Sequence, residues 1–342
     1  MDKCERVYAA LEGKPVDKTP LSLWRHFHKQ DQTPTGLVSA TLAFYRKYDF
    51  DLIKLTPSGL YPIEDWGAQI ALSKDDDEPP RLKKPVIREP EDWRHLNTLS
   101  PTEGTYGDIL EAVRLLSAQL NRDDAPVLMT IFSPMTIAYK LAGDVLLEHL
   151  QTHPTDVQIG LATIAETTSR FASAVIEAGA HGIFFATQFS RADLLSEKMC
   201  MDFVVRYDLI ALERVKNQPV PLIVHLHGRN IYFDTVNHYP AHAVSWHSHE
   251  TGPTLEEALT RTDKTLMTGL DRRLLEHGTP EEVVAQAANA IRATGGRRLI
   301  LAPPCVIPPA TPAANLEALA RMDRSLPVSE ASAVPPRADF ED

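Results

Sequence analysis

The chain has 342 residues, with Lys+Arg 35 against Asp+Glu 46 and a formal net charge of −11. That sign disfavours a general nucleic-acid or anionic-membrane binder, since both need a positive field. A composition of 43% hydrophobic and 24% charged residues excludes a mainly disordered chain. The length allows either two ordinary domains or one large α/β barrel of roughly 250 residues or more.

The opening residues Met1, Asp2, Lys3, Cys4, Glu5 and Arg6 place charges where a signal peptide needs its apolar region. No apolar run approaches the roughly 20 residues that span a bilayer. The cysteines Cys4, Cys200 and Cys305 are too few and too scattered for a disulfide framework. These features predict a soluble, cytoplasmic protein.

Strand patterns follow at residues 21–24, 51–56, 127–132, 182–186, 222–226, 243–246, 266–270 and 299–302. Several are apolar on both faces, as in Gly182-Ile183-Phe184-Phe185-Ala186, which suits parallel strands covered on both sides. Helical patterns alternate with them at 37–48, 108–120, 135–150, 157–178, 193–215, 255–261 and 279–293. The last opens on Thr279-Pro280-Glu281-Glu282, an N-cap residue, a first-turn proline and early acids. This rhythm predicts a single (β/α)8 TIM barrel over residues 1–324. Residues 62–101 interrupt it as an excursion after the second strand. Residues 325–342, rich in Pro, Ser, Ala and acids, read as a disordered tail. A doubly wound open sheet is the runner-up, but no Gly-rich dinucleotide turn supports it.

In such a barrel the active site gathers at the carboxyl ends of the strands. Arg25 and His26, Ser58, Ser133, Gln188, His225 and His227, His247 and His249, and Cys305 fall there. His225 and His227, two apart, point to the same side of a strand. Two imidazoles and a thiolate suit a tetrahedral Zn2+ with one open position, and His247, His249 or Glu250 offers a fourth ligand. An HxH pair alone is a weak signal, so acid–base catalysis by histidine without metal stays open, as does a plain packing role for Cys305. Arg25 would hold a carboxylate or phosphate, or pair with Asp51 or Glu64. Lys54 is either an inward-facing cation or half of a structural ion pair.

Several motifs carry a family resemblance. Arg6-Val7-Tyr8-Ala9-Ala10-Leu11-Glu12-Gly13 with Asp17-Lys18-Thr19-Pro20, Trp66-Gly67, and Ser133-Pro134-Met135-Thr136 belong to it. So do Gly269-Leu270-Asp271 and Gly278-Thr279-Pro280-Glu281-Glu282-Val283. The strongest is Leu301-Ala302-Pro303-Pro304-Cys305-Val306-Ile307-Pro308-Pro309-Ala310-Thr311-Pro312, with Asn315-Leu316 after it. In this order, from about residue 5 to 322, the chain resembles the uroporphyrinogen decarboxylase-like superfamily. The resemblance implies a (β/α)8 barrel, often a homodimer, with its cleft at the strand carboxyl ends.

Two chemistries occur in that superfamily. The metal-free decarboxylases hold a tetrapyrrole by an N-terminal arginine-rich motif and an aspartate after the second strand. Here only Arg25 of the arginines survives, Ser58 stands at the aspartate position, and Cys305 replaces a C-terminal histidine. The tyrosine of the third-strand region corresponds to Tyr139. The zinc methyltransferases move methyl groups between a corrinoid protein and a thiol, using a His-x-Cys pair and a later Cys. This chain resembles them at His225 and Cys305 and departs at His227.

The resemblance therefore implies a zinc-dependent methyltransferase with His225, His227 and Cys305 as metal and catalytic residues. A methylcorrinoid, carried by a partner corrinoid protein, is the implied methyl donor. Arg25, Ser58, Tyr139, Gln188 and His247 are then the expected substrate-binding residues, and Asp234 and Glu250 plausible supports. A metal-free decarboxylase of uroporphyrinogen or another acid is the alternative, and a noncatalytic tetrapyrrole or corrinoid binder a third.

Overall fold

The computed structural model describes residues 1–121 and 124–325, so the expected tail lies outside the described residues apart from Ser325. The strands are β1 (Ile53–Leu55), β2 (Gln69–Ala71), β3 (Arg81–Lys84), β4 (Val127–Phe132), β5 (Gly182–Thr187), β6 (Leu222–Leu226), β7 (Ala243–Trp246), β8 (Thr265–Gly269) and β9 (Leu299–Ala302). Seven of them form one curled parallel sheet in the order β1-β4-β5-β6-β7-β8-β9. Every residue of these seven strands is buried, as strands covered on both faces must be. Helices such as Pro34–Tyr48, Gly104–Ala118, Pro154–Glu177 and Pro280–Ala293 supply the cover.

The expected strand at 21–24 makes a single bridge, Leu21 to Leu301, and no ladder. Leu21 and Ser22 nonetheless bond to both neighbouring segments. Leu301 N donates to Pro20 O, Ser22 N to Leu301 O, and Asp51 N to Leu21 O. The other contacts toward β1 use side chains: Leu21 N donates to Asp51 Oδ2 at 2.9 Å and Ser22 Oγ to Leu52 O at 2.8 Å. Side chains taking these positions explain why the segment bonds to both neighbours without forming a regular strand.

Asp51 is 1% exposed and ion-paired to Arg6 at 2.7 Å and to Arg324. That triad ties the helix Lys3–Leu11, the approach to β1 and the end of the described chain. Burial of a carboxylate here is tolerable only because both guanidinium groups neutralise it.

Residues 62–101 contain the antiparallel pair β2–β3, which lies outside the parallel sheet. Two expected helices are interrupted. Gly143, at φ +67, ends Pro134–Ala142 before Val145–Thr152 begins, because a helix cannot pass through that conformation. The 193–215 pattern contains a π-helical turn, Cys200–Val205, between shorter α-helical pieces. Thr279 and Glu282 form the reciprocal cap of Pro280–Ala293.

Candidate active site

Side-chain parity builds the cleft. Trp24 and His26; Lys54 and Thr56; Thr130 and Phe132; Phe184, Ala186 and Gln188; and His225 and His227 all line one cavity of about 210 Å³. Each set is spaced by two, so each contributes alternate residues to the same face. Pro57, Gly59, Lys140, Cys305 and Val306 complete the lining.

The register of β6 on β7 brings the histidines together. His225 pairs with Ser245 and Leu226 with Trp246, so His227 and His247 are the next neighbours past the two strand ends. His247 Nε2 lies 3.2 Å from His227 Nδ1, with the rings nearly perpendicular at 87°. Cys305, three residues past β9, puts Sγ 4.0 Å from His227 Nδ1. One ligand atom from each of His225, His227 and His247 lies within 4.8 Å of the others.

Two of the three imidazoles, His225 and His247, are backed by polar groups. His225 Nδ1 is 3.1 Å from Ser245 Oγ, and Phe184 stacks on the His225 ring at 5.3 Å. His247 Nδ1 faces Glu250 at 3.4 Å without hydrogen-bond alignment, and Arg272 holds that carboxylate at 3.0 Å. Gly228, at φ +101, turns the chain immediately after His227 and lets the Arg191 side chain pass close by.

Burial sets the charge states. It depresses His227 to about 3, with His247 adding to the effect, and His225 and His247 are lowered too. All three are therefore neutral lone-pair donors near pH 7. Burial pushes the Cys305 thiol up. Lys54 faces inward, with Nζ 4.6 Å from the Phe184 ring centroid and 5.2 Å from that of Trp24. Burial lowers it to about 7, and Lys140, 4.7 Å from the Phe132 ring centroid, to about 8.

Other sequence candidates lie elsewhere. Arg25 Nε donates to His26 O at 3.3 Å, and the side chain lines a small pocket with Thr41 and Phe44 of the helix Pro34–Tyr48. Ser58 lines a neighbouring cavity with His28 and Asp31. Tyr139 OH donates to Asp144 at 2.9 Å, and its ring packs on Phe189. His249 Nε2 is 3.2 Å from Gly269 O, and Asp234 pairs with Arg261. Gln188 does line the cleft.

Lys140, Trp24, Thr130 and Phe132 also line the cleft, beyond the residues expected from the sequence. For the last three, the period-2 pattern of their segments was the available signal. For Lys140, on the helix Pro134–Ala142, the sequence carries none.

A cleft of imidazoles, a thiol and buried amines at the carboxyl ends of a curled parallel sheet is the layout of an α/β enzyme. The uroporphyrinogen decarboxylase (URO-D) family model matches residues 2–325, and the chain belongs to that family. It is 24% identical, over 92% of its length and 95% of the relative's, to the methylcobamide:CoM methyltransferase MtbA of Methanosarcina acetivorans. It is 23% identical to the methylcobamide:CoM methyltransferase MtaA of Methanosarcina barkeri, over 58% of this chain and 62% of that one. A solved methyltransferase from Methanosarcina mazei superposes with a TM-score of 0.81 at 20% identity, over 93% of this chain and 97% of that one. A B12-independent methionine synthase from a Shewanella species reaches 0.60 at 15% identity, over 92% and 96%. No described helix is long and apolar enough to cross a membrane.

Proposed function

We propose that this chain is a zinc-dependent methyltransferase acting with a methylcorrinoid, and that His225, His227 and Cys305 hold the metal with His247 as a further donor. The 3.2 Å separation of His227 Nδ1 from His247 Nε2 carries the reading. Tetrahedral Zn2+ with Zn–N distances of about 2.0–2.1 Å sets neighbouring nitrogens about 3.3 Å apart. The neutral state of the buried imidazoles also fits, because a ligand needs its lone pair. The names of MtbA and MtaA support the methyl-transfer chemistry and the corrinoid partner.

Zn2+ bound there would act as a Lewis acid that lowers the pKa of an acceptor thiol. Ser245 and the Glu250–Arg272 pair fix the His225 and His247 rings against rotation. Trp24, Phe132 and Phe184 exclude water from the acceptor. Lys54 and Lys140 favour an anionic group on it, and Gln188 offers a neutral amide.

The same reading includes residues Leu21–Trp24 as the eighth strand of a closed TIM barrel with β2–β3 as an excursion from it, and residues 1–324 as one domain. The bonds of Leu21 and Ser22 to both neighbouring segments support closure. It also includes a cytoplasmic homodimer, supported by the family resemblance.

The test is demethylation of methylcobalamin by thiols, followed by absorbance, on protein of measured zinc content. Thiol-dependent demethylation that falls with Cys305→Ala and His227→Ala is expected. Zinc-free protein with no demethylation, or carbon dioxide release from uroporphyrinogen instead, would overturn the reading.

A further inference from the structure

The segment after Leu21 carries a second donor group that the site above does not use. The His26 and His28 rings stack with centroids 4.8 Å apart. Asp31 Oδ2 lies 4.0 Å from His28 Nδ1. His26 Nδ1, His28 Nδ1 and Asp31 Oδ2 are all buried without a hydrogen-bond partner. One ligand atom from each of the three residues comes within 4.8 Å of the others. His28 is 8% exposed and Asp31 9% exposed, so bulk solvent does little to satisfy them.

An unmade hydrogen bond at a buried polar atom is destabilising. Three in one place imply a common occupant. His26 hydrogen-bonds the Thr56 backbone. With Nδ1 unpartnered, the bonded nitrogen is Nε2, and Nδ1 keeps its lone pair. This is how a metal-bound imidazole is usually oriented.

The surroundings point to a cation. Asp76 adds negative charge near His28 and Asp31. Its loop is fastened over the segment by Lys29 N to Asp76 Oδ1 at 2.9 Å and by Gln32 Nε2 to Ser73 O at 2.8 Å. Lys54 and Lys140 act in the other direction on His26. His28 and Asp31 line a cavity of about 170 Å³ that gives an ion and a water ligand their entry.

We propose that His26, His28 and Asp31 form a second divalent-cation site, selective for the zinc and cobalt class. A set of two imidazoles and one carboxylate matches that class and lacks the oxygen-rich shell that Ca2+ or Mg2+ requires. Because His26 also lines the main cleft, the ion braces the cleft wall from behind. The site does not depend on the zinc site proposed above.

The experiment loads metal-stripped full-length chain with Co2+ and reads cobalt content and absorption together. Only the first site contains a thiolate, so only it gives a sulfur-to-cobalt charge-transfer band. Asp31→Asn and His28→Ala, each checked for folding by circular dichroism, are expected to lose one cobalt per chain and keep that band. His225→Ala is expected to lose the band and keep the other ion. If both folded variants retain the wild-type cobalt content, the second site is overturned. If the band never forms but Asp31→Asn still removes an ion, the second site stands and the zinc reading fails.

Discussion

Replacing Lys54 by methionine should make the protein more stable. Lys54 is 6% exposed, and its one hydrogen bond goes to Thr56 Oγ1 at 3.2 Å. A lysine normally titrates near 10.5, and burial brings this one down to about 7. Between those values the unfolded chain holds a proton that the folded chain has released, so wild-type stability rises with pH across that window. At about 1.36 kcal/mol per pH unit, the residue costs the fold roughly 5 kcal/mol at pH 7 and below, and about 2 kcal/mol at pH 9. The penalty vanishes above the unfolded value. Lys54→Met keeps the stem against Trp24 and Phe184 and removes the ammonium. Urea unfolding of both proteins should show the variant ahead by several kcal/mol at pH 7, with the margin shrinking to about 2 kcal/mol at pH 9. Methyl transfer to an anionic thiol should fall in the same variant. A less stable variant at pH 7, or a margin independent of pH, would refute the reasoning.

Asp51→Asn takes the counter-ion from buried Arg324 and leaves Arg6 with Asp17 alone, and should cost about 3–5 kcal/mol in chemical denaturation. Glu250→Gln removes the carboxylate behind His247 and should weaken zinc binding about 10–100-fold, read by competition with a chromophoric chelator. Gly228→Ala forces a side chain into a φ of +101 with a Cβ 2.9 Å from Arg191 Cδ. It should lower stability by about 1–3 kcal/mol and reduce zinc affinity by shifting His227, seen as a lower melting temperature and a weaker chelator competition.

The parallel strands were legible because each is a short apolar run between turn signals, as in β5 and β6. Leu21–Trp24 reads the same way. Its reduction to one bridge depends on Asp51 and Ser22 side chains taking backbone positions, which no periodicity encodes. The break at Gly143 was visible as a residue, but a glycine inside an amphipathic pattern does not announce its φ. The pairing of His227 with His247 follows from the β6–β7 register, a long-range fact. Only the spacing of two between His225 and His227 was local. Arg25 misleads for a related reason. It sits one residue out of phase with Trp24 and His26, so it lies off the cleft lining even though it follows the same segment.

Phase also explains how an acidic protein builds a basic cleft. The net charge is −11, yet among the described residues no carboxylate lines the cleft. Those residues include Lys54, His26, His225 and His227, on strand segments or their carboxyl ends, and Lys140, on the helix Pro134–Ala142. Two carboxylates approach from behind, Glu250 against His247 and Asp31 against His28. In those places they orient imidazoles or balance a cation without repelling an anionic acceptor. A negative charge introduced at Thr130, on the inner face of β4, would test this arrangement. Thr130→Asp should raise the pKa of Lys54 by pairing with it and weaken anion binding, while Thr130→Asn should leave the Lys54 titration unchanged. Equal effects of the two variants would show that volume, not charge, governs the cleft.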